Sequence, residues 1–110
     1  MISPVSNLSA MQAFTVGQHG VGYNIANINT DGFRPVAVHY RSGPTDLTVE
    51  PVVTRQTAQL SDSLAVKEPS RTDLAREITH MIMNQRAFEA NAVVVRTWGD
   101  TVGRFIDEFV

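Results

Sequence analysis

The chain has 110 residues, 43% of them hydrophobic and 18% charged, with no cysteine and a formal charge of −2. This length holds one small domain, and the hydrophobic share is that of a folding chain rather than a disordered one. The lack of cysteine excludes disulfides, thiolate metal sites and cysteine nucleophiles. The mild acidity argues against nucleic-acid binding, which needs concentrated positive charge.

The N-terminus reads Met1-Ile2-Ser3-Pro4-Val5-Ser6. It has neither the basic start nor the apolar run of a secretory signal, and no stretch reaches the roughly 18 apolar residues of a membrane span. Residues 6–30 read as a helix. Met11, Phe14, Gln18, Val21, Ile25 and Ile28 alternate at three and four residues, a heptad seam with one polar member. Gly17, Gly20 and Gly22 weaken this helix, so it needs a partner, and the glycines mark close approach or local flexibility. Asn29-Thr30-Asp31-Gly32 closes it with residues that tolerate a left-handed backbone.

Residues 33–67 form an insertion. Val36, Val38 and Tyr40 alternate with Ala37, His39 and Arg41, as in a strand. Ser42 to Asp46 is a turn, and 47–53 is a second strand confined to an edge by Pro51. Residues 56–68 read as loop. The expected picture is a small β-hairpin at one end of a helix pair.

Residues 70–109 read as one helix about 55 Å long. Leu74, Ile78, Met81, Gln85, Phe88, Ala92, Val95, Gly99, Val102, Ile106 and Phe109 alternate at four and three residues over five heptads. Ser70 with Asp73 resembles a capping box. Paired antiparallel, the seams place Ile25 opposite Ile78, Gln18 opposite Gln85 and Met11 opposite Ala92, with the two glutamines satisfying each other. The fold expected is mainly α: long N- and C-terminal helices in an antiparallel, coiled-coil-like hairpin, with the β-hairpin and loop between them, in a single elongated domain over 1–110.

Little here carries chemistry. His19, His39 and His80 fall on three different elements, so no metal site and no cofactor are expected. No serine sits in a nucleophile elbow, and the glycines at 17, 20 and 22 lack phosphate-loop spacing. No acid, base and nucleophile converge, so no enzyme is expected. What stands out is the end of the last helix. Trp98, Val102, Phe105 and Phe109 lie beyond the reach of the first helix, and either residues 1–7 fold back over them or another subunit does. Contact with another subunit is the preferred reading, because large apolar patches rarely stay exposed.

Two segments resemble a known family. Tyr23-Asn24-Ile25-Ala26-Asn27-Ile28-Asn29-Thr30-Asp31-Gly32-Phe33-Arg34 resembles the Ala-Asn-Asn-Ile-Ala-Asn-x-x-Thr-x-Gly-Phe-Lys signature of bacterial flagellar axial proteins. Asp73-Leu74-Ala75-Arg76-Glu77 and Asn84-Gln85-Arg86-Ala87-Phe88-Glu89-Ala90-Asn91-Ala92 are similar to the family's C-terminal motif. The matching positions are Asn24, Ala26, Asn27, Thr30, Gly32 and Phe33 in the first segment, and Gln85 and Asn91 in the second. Gly22 and Tyr23 depart from the first signature, and Arg71-Thr72 replaces the usual Asn-Val. The resemblance implies a structural subunit of the flagellar basal-body rod. It would self-assemble through its terminal helices, with copies of itself and neighbouring rod and hook proteins as partners. It would leave by the flagellar export apparatus without a cleaved signal and lie in the periplasmic rod. A helical-hairpin adaptor that is never exported is the alternative.

Overall fold

A computed structural model of the chain describes residues 4–45, 47–55 and 69–110. It contains helix α1 (Pro4–Ala26), strands β1 (Val36–Ser42) and β2 (Val49–Arg55), and helix α2 (Leu74–Phe109). The architecture is mainly helical with one antiparallel two-stranded hairpin. The loop expected over 56–68 lies outside the described residues.

Both helix boundaries have local causes. α1 ends at Ala26 rather than residue 30. The Asn27 amide side chain donates to the Tyr23 carbonyl at 2.9 Å, and Thr30 Oγ1 donates to Asn27 Oδ1 at 3.1 Å. These bonds hold a run of turns that closes at Gly32, whose φ of 71° is a left-handed backbone suited to glycine. Phe33 then packs edge-on to Tyr23, with ring centroids 5.4 Å apart. At the other end, α2 begins at Leu74 because Asp73 is its N-cap. The Asp73 carboxylate accepts from the Ala75 and Arg76 amides at 3.1 and 3.3 Å. The expected box with Ser70 does not form, since Ser70 Oγ instead donates to Thr72 Oγ1.

The hairpin pairs Val36 with Arg55, Val38 with Val53, Tyr40 with Pro51 and Ser42 with Val49. Three observations fix which amides face outward. Gly43 N donates to Thr48 O, so that pair is a hydrogen-bonded one. Val49 directs both its N–H and its C=O to Ser9 Oγ, and Val36 directs both to the Asn24 side chain. Alternation then places Val36, Val38, Tyr40 and Ser42 in the phase whose amides point away from β2. Pro51 falls in the same phase, so its missing N–H takes no bond from the ladder.

The two clamps also place α1. Asn24 holds the outer edge of β1 at one end of the hairpin, and Ser9 holds the outer edge of β2 at the other. Helix and strands cover similar lengths between these points, about 22 Å and about 20 Å. The hairpin therefore lies along α1, which crosses beneath it diagonally, and does not sit at one end of the helix pair as expected.

α2 packs antiparallel on α1, with Glu77 beside Asn24 and Asn84 beside Gly17. The register is close to the expected one, but the buried lines differ. On α1 the buried residues are Ala10, Ala13, Gly17, Val21 and Asn24. On α2 they are Glu77 and Asn84. Two partners at different angles press on α1, so the narrow line between them must be small. Of the expected α1 seam, Val21 is buried, and Met11, Phe14, Gln18, Ile25 and Ile28 are half-buried. On α2, Leu74, Ile78, Met81 and Phe88 are exposed along one flank, while Ala92 and Val95 are half-buried. The expected Gln18–Gln85 pair is absent. Gln85 Nε2 donates to Glu89 Oε1 on the solvent side, and Gln18 Oε1 is buried without a partner among the described residues.

Candidate functional site

The polar centre of the fold is Asn24, 2% exposed. Its Oδ1 accepts from Val36 N at 2.8 Å. Its Nδ2 donates to Val36 O at 2.8 Å and to Glu77 Oε1 at 3.1 Å. Its own carbonyl accepts from Thr72 Oγ1 at 3.2 Å. One side chain thus ties α1, β1 and the start of α2 together. A buried amide with both polar atoms satisfied is a stable arrangement. Nearby, Arg71 N donates to Phe33 O at 3.1 Å and closes the same end of the molecule.

A second junction lies two turns of α1 away. The Tyr40 ring meets Phe14 edge-on, with centroids 4.9 Å apart. Its hydroxyl donates to Asn84 Oδ1 at 2.9 Å. Gly17 makes this reach possible, because a Cβ there would overlap the Tyr40 hydroxyl. Gly20 plays the same part for Val38. Partial burial raises the Tyr40 pKa above the ordinary 10.0, since desolvation disfavours the phenolate.

The matching positions in the N-terminal segment cluster around this end of the molecule. Asn24 is the clamp; Asn27 and Thr30 hold the turn; Gly32 supplies its left-handed backbone; Phe33 packs on Tyr23. Ala26 is exposed. In the C-terminal segment Asn91 Nδ2 donates back to Ala87 O at 2.8 Å, and Gln85 faces outward. The expected seam residues did not include Glu77, Asn84, Ser9 or Tyr40. Tyr40 had a visible signal, the alternation that puts it on the same strand face as Val36 and Val38. Asn84 and Glu77 share a heptad position, but a polar heptad position reads as solvated.

The far end of α2 is different in kind. Extending the register puts Pro4 level with about Thr97, so residues 98–109 project about 18 Å past α1. Trp98, Phe105, Ile106 and Phe109 are exposed there, Phe109 by 76%, and Val102 is half-buried. Phe105 and Phe109 touch each other, with centroids 4.7 Å apart. Residues 4–7 are already helical in α1, so they do not fold back over this patch.

Among the described residues, no group of three or more His, Asp or Glu side chains is placed to hold a metal ion. No described helix is long and apolar enough to cross a membrane. Residues 68–103 match a family model described as flagellar basal body rod FlgEFG protein C-terminal. No curated protein matches the chain.

Proposed function

We propose that the chain, whose residues 68–103 match the flagellar basal body rod FlgEFG protein C-terminal family, is a structural, non-catalytic subunit of the basal-body rod that assembles through its terminal helices. The observation that carries this reading is the uncovered end of α2. Trp98, Phe105, Ile106 and Phe109 form an apolar surface on a projecting helix, and an exposed apolar patch of this kind marks a surface that another chain covers. The half-exposed flank of Leu74, Ile78, Met81 and Phe88 continues the same heptad pattern and offers a second strip for helix contact. A patch at one end meeting a strip along the side is a heterologous contact, which propagates into a filament where successive copies do not close into a ring. The partners proposed are further copies of the chain and neighbouring rod and hook proteins, in the periplasmic part of the basal body. Export through the flagellar apparatus without a cleaved signal belongs to the same proposal.

Mass spectrometry of purified hook–basal bodies from the source bacterium tests this. The chain is expected there in stoichiometric amount. Its absence from basal bodies together with its recovery from the cytosol would favour the adaptor role instead.

A further inference from the structure

We propose that the outer edge of β1 is a strand-docking site, and that its occupant is an extended segment of a partner protein carrying apolar side chains and a carboxylate. The site is an open groove of about 400 Å³ with α1 as its floor and β1 and α2 as its walls. The β1 wall presents backbone hydrogen-bonding groups. Val36, Val38 and Tyr40 all point their amides away from β2, as the ladder phase requires. Asn24 satisfies the pair at Val36. The pairs at Val38 and Tyr40 have no partner among the described residues, which is the condition an added strand answers.

No Cα of β1 comes within 8 Å of a Cα of α2, so α2 does not itself occupy the pairing position about 4.8 Å from β1. Charge bears on the occupant. On the α2 wall Asp73 is taken up by the cap of α2 and Glu77 Oε1 by Asn24, while Glu77 Oε2 is buried, closed to an incoming chain, with no partner among the described residues. Arg76 lines the groove and makes no ion pair among the described residues, and His80 lies one turn further on. A carboxylate on the incoming strand therefore meets a cation. The inference does not rest on the flagellar reading, so the two stand or fall separately.

The test uses the full chain, uniformly labelled with nitrogen-15, and a blocked pentapeptide of alternating valine and glutamate. Saturable amide shifts are expected at Val38, Tyr40 and Arg76. The same peptide N-methylated at alternate residues loses its inward donors and is expected to bind about tenfold more weakly. Val38→Pro removes an outward N–H and no ladder bond, so it is expected to keep the hairpin's cross-strand signals and lose the peptide response. Arg76→Ala is expected to weaken the glutamate peptide and leave a glutamine version unchanged. Equal binding of the N-methylated peptide, or no saturable shift along β1, overturns the proposal. Shifts along β1 that follow the chain's own concentration, with none from the peptide, also overturn it and make a second copy the occupant.

Discussion

Asn24 shows how a single residue can set an architecture. Removing its side chain leaves Val36 N–H, Val36 C=O and Glu77 Oε1 without their partner inside the fold. Asn24→Ala is therefore expected to cost about 2–4 kcal/mol in a denaturant titration. Gly17→Ala attacks the second junction, since its methyl must displace the Tyr40 hydroxyl. A loss of about 1–3 kcal/mol is expected. In the Tyr40→Phe background, where that hydroxyl is gone, the loss should be smaller, and a double-mutant cycle measures the difference. Tyr40 also predicts a pH dependence. Its folded-state pKa lies above the ordinary 10.0, so the native chain keeps a proton that the unfolded chain releases. Its contribution is fully present below that ordinary value and falls as pH rises through it toward the higher folded value. Urea midpoints across this alkaline range should fall less steeply in Tyr40→Phe than in the parent chain.

At the scale of elements, α1 is held from two sides, by the hairpin and by α2, and this explains what the heptad pattern alone misplaces. Phe88 lies on the expected seam of α2, yet it is 37% exposed. Phe88→Ala is accordingly expected to cost about 1–2 kcal/mol, where a fully buried phenylalanine loses 3–5. A loss in that higher range in thermal unfolding would restore the seam as the true core line. The two long helices, their antiparallel pairing and the hairpin were legible because periodicity and turn chemistry are local signals. The line of burial was not. A heptad identifies an apolar stripe, but which flank faces the neighbour depends on a third element, the hairpin. The glycines of α1 show the same gap. Their cost to the helix is visible in the sequence, whereas the reason for it, Tyr40 crossing over Gly17 to Asn84, appears only once β1 lies along α1. Likewise the turn chemistry of Asn27 to Gly32 is readable from residue types, while the clamp of Asn24 on Val36 is not.

The whole molecule is a slender rod, 75 × 27 × 15 Å, with a radius of gyration of 19.5 Å. A compact chain of the same length would give about 13 Å. Such a shape buries little, and among the described residues the aromatic side chains at the free end of α2 are exposed, with Phe105 and Phe109 in ring contact within their own helix. Trp98→Ala is therefore expected to leave the unfolding midpoint of the dilute chain within about 0.5 kcal/mol of the parent. The same change should weaken concentration-dependent association, read by sedimentation velocity. A matching loss of monomer stability would mean that this end is covered from within.

The Asn24 clamp carries a consequence in time as well as in space. Its bonds to Val36 span 12 residues of chain, and its bond to Glu77 spans 53. Closing the shorter loop loses less chain entropy, and local contacts form sooner in general. The edge of the hairpin and the end of α1 are thus the natural first contacts of the folding reaction. α2 arrives on a surface those contacts have already shaped, and in unfolding it is the natural first element to leave.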